Sequence, residues 1–586
     1  MIAVADRPLT TVAGTPTKTR PRGLVVAAGL PTLLTWLHAQ SYGQWIVDDA
    51  GLTFAYARSL ATGAGPVLQP GEEPVEGYSN PSWVAVLVVG RWLGLFDRGA
   101  WFGTPDLVLF PKLVGLACCF GIFAAMFAVA ARVSRRPVLL TLVAGSATAA
   151  VPSFVIWTTS GLENALFALA VTAIAAVLAC AGARGQLLEL NIAVTVGGLA
   201  ALAALTRPDG VIYIAAFPLA AALLLQRITL RRTLKASLAA VVAFVVPVAA
   251  YLGWRLFTFG DYLPNTARAK EQGLPTLVDL DKPVALIGYV GWLTVCLGVA
   301  AVAVTLSRPS PTRTVVVMVL VPSCLAVVSY VSLQSDWMAQ YRFATPLWPL
   351  AAVAVTLSGA HVLRDASARS RLIACGLATV AAVSTASGFL LSENAFRAEP
   401  TVGVCNVAQN TGYAFNGYAD ILSVRDGSLL AVDGGGTSLT TRLRFIDLSG
   451  LADRRIARYW QDDDMVGLRD HIFEDVRPTF LKLFHGWSEL DRLALTADAR
   501  LERDYELMFS GQSGGGDWVR RDAVPDGPSL AGARQWGSDA WTLVTDRYRG
   551  VVPPIWWCGE TLRPTPFNPG SPASSTLTQP VNAGSG

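Results

Sequence analysis

The sequence is short of charge. Only 15% of its 586 residues are Asp, Glu, Lys or Arg, whereas soluble proteins carry about 25%. With 52% hydrophobic residues and a mean hydropathy of +0.44, that shortage excludes an ordinary soluble fold. The net charge is only +4, so composition offers no argument for nucleic acid as a partner. Histidine is scarce too, with four in the chain (His38, His361, His471, His485). No CxxC or His-rich spacing occurs, so no metal site and no firm cofactor are expected. Asp462–Asp464 in QDDDM could bind a divalent cation, but a solvated acidic turn is the more ordinary reading. Of eight cysteines, Cys118, Cys119, Cys180, Cys296, Cys324 and Cys375 lie in apolar runs, where they serve as small hydrophobes. Only Cys405 and Cys558 lie in polar sequence. A disulfide between them fits if that region faces an oxidising compartment.

What the sequence has instead is apolar runs of membrane-crossing length. They lie near 23–41, 109–131, 138–157, 164–182, 190–205, 210–226, 236–257, 284–306, 314–333, 343–360 and 371–391, about eleven spans in a lipid bilayer. The first run follows Lys18, Arg20 and Arg22 and reads as a signal peptide or a signal anchor; the many later spans favour the anchor. A further run, 81–96, is short and interrupted by Arg91. One set of loops is basic: Arg132/Arg135/Arg136, Arg184, Arg227/Arg231/Arg232/Lys235, Arg308/Arg313 and Arg364/Arg369/Arg371. If 81–96 spanned the membrane, Arg135-Arg136 and every later basic loop would fall outside. If 81–96 lies along the interface or re-enters, all of them stay in the cytoplasm, as the positive-inside rule requires. The second reading is adopted, with Trp83 and Trp92 at headgroup level. It places loops 42–80, 158–163, 206–209, 258–283 and 335–342, and everything after 391, on the outer side.

The expected architecture is therefore a polytopic α-helical membrane protein with a C-terminal mixed α/β domain outside the cytoplasm. Residues 1–20 read as a disordered cytoplasmic N-terminus. Residues 21–391 form the transmembrane domain, with first outer loop 42–80 and interfacial segment 81–96. Residues 392–562 form the C-terminal domain, with strands at 429–432 and 445–448 and a helix at 488–500. Residues 563–586, rich in Pro, Ser, Gly and Thr, read as a disordered tail.

The outer loops carry the chemistry. Asp48 and Asp49 follow the first span directly. A partly desolvated carboxylate there suits a general base acting on a sugar hydroxyl. It also suits the stabilisation of positive charge at an anomeric carbon. The bland alternative is a pair of acids favouring the start of a helix at 50–60. Glu76, Tyr78 and Asn80 follow in VEGYSN, otherwise a polar turn. SGLENALF supplies Glu163 and LTRPDG supplies Arg207 and Asp209, which could simply be an ion pair. GDYLPNTARAK supplies Asp261, Asn265, Arg268 and Lys270; SDWMAQYRF supplies Asp336, Trp337, Tyr341 and Arg342. Charged residues near membrane depth are costly and default to functional candidates. Arg207, Arg268, Lys270 and Arg342 suit a lipid phosphate. The acids, Asn80, Asn265 and the aromatic rings suit a sugar or glycan.

These blocks resemble a known family. VDDAGLTFAYARSLATGAGPVLQPGEEPVEGYSN is similar to the first loop of the GT-C branch that includes the terminal β-1,2-arabinofuranosyltransferases of actinobacterial cell-wall arabinan. SGLENALF, LTRPDG, FGDYLPNTARAK, SDWMAQYRF and AVDGGGTSLTTRLRFIDLSGLADRRIAR resemble later blocks in the same order, over about 45–460. The resemblance implies a GT-C-like helical bundle with an extracytoplasmic cap, in the plasma membrane. It implies a polyprenyl-phosphate donor, decaprenylphosphoryl-arabinofuranose, and an arabinan acceptor of arabinogalactan or lipoarabinomannan. It also implies that Asp48 or Asp49 is the base. The chain departs from the family at Gly51-Leu52, at Gln334-Ser335 and after Asp433, where a second Asp is missing. These departures bear on the sugar more than on the reaction.

Asp433, Asp447 and Asp453 either bind glycan or serve structure: Asp447 could cap a turn, and Asp453 could pair with Arg454 or Arg455. The alternatives are a mannosyltransferase using the same carrier, a transporter of lipid or glycan, and a non-catalytic scaffold. A transporter would show inverted repeats and broken helices with polar residues at the midplane. Here polarity is concentrated in the outer loops.

Overall fold

The computed structural model describes residues 21–223, 225, 227–269, 277–334, 336–483, 493–510, 515–548 and 561–570. The expectations for residues 1–20, Lys270, Cys558 and 571–586 lie outside these, as does 488–492 of the helix expected at 488–500; the rest of that stretch is a 3₁₀ turn at Leu495–Ala497 and the start of a helix at Ala499–Asp504. Cys405 is disulfide-bonded.

Each predicted apolar run is helical. The bundle runs through α1 (Pro21–Ala39), α2 (Asp48–Ala61), α3 (Pro81–Trp92), α4 (Asp106–Val133), α5 (Pro137–Ala149), α6 (Pro152–Thr158), α7 (Asn164–Arg184) and α8 (Leu190–Thr206). It continues through a 3₁₀ segment at Pro208–Ala215 into α9 (Ala216–Leu223), then α10 (Leu230–Phe259), α11 (Asn265–Ala269), α12 (Asp281–Val290) and α13 (Trp292–Ser307). It ends with α14 (Pro311–Ser332), α15 (Leu347–Arg364) and α16 (Ala368–Ala398). Among the described residues six helices (α4, α7, α10, α14, α15, α16) are long and apolar enough to cross a membrane, or up to eight if each bent pair counts as one span. The pairs are α5–α6, bent by 80°, and α12–α13, bent by 96°. Pro152 opens α6, and Gly291, at φ 96°, makes the second bend. The difference from about eleven runs has a local cause. Proline and glycine break some runs, and α8 and the segment 208–223 fall short of the length required.

The segment at 81–96 forms α3, 12 residues long. At 1.5 Å per residue that is roughly 18 Å, too short to span. Trp92 is 65% exposed, whereas Trp83, expected at headgroup level, is buried. Its indole N–H donates to the Gly161 carbonyl at 2.9 Å, which pins α3 to the SGLEN loop. Arg91 does not face lipid. It pairs with Asp97 at 2.5 Å, and Asp97 pairs with Arg58 of α2 at 2.8 Å.

After α16 come α17 (Val404–Val407), α18 (Ala414–Ile421), α19 (Gly435–Thr440), α20 (Arg454–Gln461) and α21 (Met465–Asp470). They surround a five-stranded sheet of β3 (Ser428–Ala431), β4 (Arg444–Asp447), β5 (Phe480–Leu483), β6 (Tyr505–Ser510) and β7 (Gly516–Arg520), in the order β4-β3-β5-β7-β6. A short ribbon in the bundle supplies β1 (Ala100–Trp101) and β2 (Thr104–Pro105). β3 pairs in parallel with β4 and β5, whereas β7 is antiparallel to β5 and β6. Alternation along the strands splits the sheet between two cores. Leu429, Phe445 and Phe480 join the core continuous with the helical bundle, while Leu430, Ile446 and Leu481 face a second core with Ile456 and Leu468.

The start of the tail, expected to be disordered, is packed. The Leu562 carbonyl accepts from Arg58 at 2.6 Å, the Thr565 hydroxyl from Asn416 at 3.1 Å, and Asp420 from the Asn568 and Gly570 N–H groups. Composition favoured disorder, but side chains far away in sequence satisfy this segment's backbone.

Candidate active site

The chain just before α2 is held on two sides. The Val47 N–H donates to the Ser160 carbonyl at 3.1 Å, the Asp48 N–H to Val402 at 3.0 Å, and the Val404 N–H to Ile46 at 3.0 Å. The loop 42–80, the SGLEN loop and the segment after α16 therefore meet at Asp48-Asp49.

The two carboxylates differ. Both lie in the first turn of α2. Asp48 is buried, at 4% exposure. Its side chain makes no cap on its own helix; it accepts from the Gly435 N–H at 3.0 Å and the Gly436 N–H at 2.7 Å. Those N–H groups open α19, so two helix N-termini converge on one carboxylate. Burial raises the Asp48 carboxyl well above the ordinary range, helped by the charges of Asp433 and Asp49 and opposed by the two N–H donors. Asp49 is only partly buried. Asp433 is pushed up to about 6 by burial, with Lys482 pulling it down and Asp49 pushing it up.

Glycines permit this contact. A Cβ on Gly51 would lie 2.6 Å from the Gly435 carbonyl carbon, and one on Gly435 would lie 1.8 Å from the Asp48 carbonyl oxygen. The Gly51 departure and the GGG run are thus two sides of one close approach.

The other loop motifs form a polar network. Asn80 donates to Glu163 at 2.7 Å and lies 3.4 Å from the Thr53 hydroxyl. Glu163 pairs with Arg207 at 3.1 Å, and Arg207 pairs with Asp209 at 2.9 Å. Arg342 pairs with Asp336 at 2.7 Å. Phe343 links the halves: the Arg207 and Arg342 guanidiniums each lie 4.8 Å from its ring centre. Two arginines here face three carboxylates, so the cluster has no surplus positive charge to offer a phosphate. Arg268 pairs with Asp261 at 2.6 Å and is less buried. Trp337 is 61% exposed.

Glu76, Tyr78 and Asn265 sit apart from that network. Glu76 pairs with Arg255 of α10 at 2.6 Å and accepts from the Tyr251 hydroxyl at 2.5 Å. Burial raises the Glu76 carboxyl against the pull of both partners. Tyr78 is buried edge-on to Tyr56, ring centres 5.0 Å apart. The Asn265 amide donates to the carbonyls of Gly450 at 2.7 Å and Leu451 at 3.0 Å, tying its loop to the C-terminal domain. Asp447 accepts from the Ser449 and Ala452 N–H groups, and Asp453 from those of Arg455 and Ile456, opening α20. Asp464 opens α21 by accepting from the Gly467 N–H. Among the described residues no group of three or more His, Cys, Asp or Glu could hold a metal ion. Sequence reasoning missed Arg255 and Tyr251. The signal was there, an arginine near the end of an apolar run.

The deciding comparison is one of fold. The structure of ArnT from Cupriavidus metallidurans bound to undecaprenyl phosphate superposes with a TM-score of 0.53 at 14% identity, over 87% of this chain and all of that one (100%). Its apo state gives 0.55 at 15%, over 86% and 99%. The chain shares the fold of ArnT. The archaeal oligosaccharyltransferase AglB from Archaeoglobus fulgidus, in complex with an inhibitory peptide and a dolichol-phosphate, is a weaker likeness (0.48 at 12%, over 86% and 74%). No protein-family model and no curated protein matches the sequence. The apolar helices and this fold make the chain a membrane-embedded protein.

Proposed function

We propose that this chain is a membrane glycosyltransferase that moves a sugar, arabinofuranose, from a polyprenyl-phosphate donor to a cell-wall arabinan, and that Asp49 is its general base. The unequal placement of Asp48 and Asp49 carries the reading. Asp48 is buried, and both its oxygens accept backbone N–H groups; Asp49, one residue on, is the partly exposed member of the pair. Asp49 takes the proton of the acceptor hydroxyl. The acceptor oxygen bonds to the anomeric carbon, and the bond from that carbon to the phosphate oxygen breaks, its electron pair leaving with polyprenyl phosphate. A phosphate leaving group needs no general acid.

The fold shared with ArnT, solved with undecaprenyl phosphate, supports a lipid-linked donor. The order of the outer-loop blocks supports arabinofuranose as the sugar and the outer face of the plasma membrane as the place. Asp48 acts as a clamp that docks the C-terminal cap against α2. Glu163, Arg207, Asp209, Asp336 and Arg342 hold the outer loops in register, and Arg268 with Lys270 keeps the role of meeting the departing phosphate. The test is transfer by purified protein in lipid, with decaprenyl-phosphate arabinofuranose and mannose donors in parallel. Arabinose transfer with loss in Asp49→Asn supports the reading. Mannose transfer alone corrects the sugar, and counterflow of substrate without a glycan product replaces the enzyme with a transporter.

A further inference from the structure

A groove of about 1,770 Å³ opens between the first outer loop and the C-terminal domain. Its walls are the later turns of α2, residues 68–75, the β4 edge, α20 and Arg563. Small-molecule pockets are smaller, about 300–1,000 Å³, so this space suits a length of polymer. Nine arginines line it, against six acidic residues. Arg425, Arg444, Arg455, Arg458 and Arg563 are exposed. Among the described residues no carboxylate pairs with Arg425, Arg458 or Arg563.

Of the arginines, Arg58 and Arg91 are held by Asp97 and Arg442 by Asp420, and most of the acids are engaged as well. Asp447 and Asp453 accept backbone N–H groups. Glu72 lies 3.9 Å from Arg444, and Asp475 lies 3.5 Å from Arg455. What remains toward solvent is a surplus of guanidinium forks, which match planar carboxylates and phosphates. The groove also reaches Ala55, six residues along α2 from Asp49, roughly 9 Å by helical rise. A chain lying in it runs along the same helix that carries the proposed base.

We infer that this groove binds an oxyanion-bearing stretch of the acceptor glycan, one carrying uronate carboxylates or phosphodiesters. The inference rests on the glycosyltransferase reading and adds a charged portion of the acceptor beyond its neutral arabinan. Binding is therefore measured apart from transfer, on the full-length protein in detergent. The probes are a short oligogalacturonate, a glycerol-phosphate oligomer and a neutral oligosaccharide of equal length. The expected result is salt-sensitive binding of one or both anionic probes and little binding of the neutral one. The variant Arg425→Ala/Arg458→Ala/Arg563→Ala should weaken binding by roughly tenfold or more, from lost charge-assisted hydrogen bonds. Arg503→Ala, an exposed arginine outside the groove, should bind as the unaltered protein does. The carboxylate and phosphodiester arms tell the two sources apart. Equal affinity in the triple variant, equal binding of the neutral probe, or binding only to phosphatidylglycerol vesicles would overturn the inference. None of these outcomes touches the role of Asp49, which loss or survival of transfer decides separately.

Discussion

Asp48 and Asp49 are neighbours in sequence and opposites in surroundings. The pair itself was legible as a candidate site. Their unequal surroundings were not, because the groups that occupy Asp48 come from 387 and 388 residues away. Truncating Asp48 leaves two buried N–H groups without acceptors, a cost of about 1–3 kcal/mol for each. Asp48→Ala should lower the thermal midpoint in detergent clearly, and Asp48→Asn, which keeps one acceptor oxygen, should lower it less. Asp433 gives a pH signature. Its carboxyl is held at about 6 in the fold, above its ordinary value of 3.8, so between those values the folded chain binds more protons than the unfolded one. Its contribution is most favourable below about pH 4, declines as pH rises, and is lost above about pH 6. Asp433→Asn should therefore flatten the fall in stability between pH 4 and about 6, as read by denaturation at several pH values. Glu76 and Arg255 form a pair of another kind, buried and joined across long sequence distance. Arg255→Met should cost about 3–5 kcal/mol by stranding the Glu76 charge, and adding Glu76→Gln should recover part of it.

At the scale of elements, α2 and α19 touch through glycine. Gly435→Ala drives a methyl into the Asp48 backbone at 1.8 Å, and backbone cannot move aside as a flexible side chain can. The C-terminal domain should then undock from α2, read as faster proteolysis of residues beyond 400 while the bundle stays intact. The sequence showed the AVDGGG run and the unusual Gly51, but nothing in either names the other as its partner. The interruption of 81–96 by Arg91 has a structural counterpart in a helix of only 12 residues, α3. The burial of Trp83 was hidden, because its partner is the Gly161 carbonyl, a backbone group on another loop. Bends at Pro152 and Gly291 were visible as residues; their angles follow from packing.

Across the whole molecule, the apolar runs and the change of character after residue 391 were readable because hydrophobic length is a local property. Convergence of the loops between the apolar runs was not local. Asn80, Glu163, Arg207 and Asp209 form one chain of contacts, drawn from three loops, and Asn265 leaves its neighbours Asp261 and Arg268 to bind carbonyls of the C-terminal domain. Asp49, the proposed base, lies at the junction where these loops meet the C-terminal domain. The most direct measurement is sugar transfer from decaprenyl-phosphate arabinofuranose by Asp49→Asn protein in lipid, beside its thermal midpoint. The account predicts a rate lower by about 10²–10⁴ with the midpoint little changed. Unimpaired transfer in that variant would contradict it.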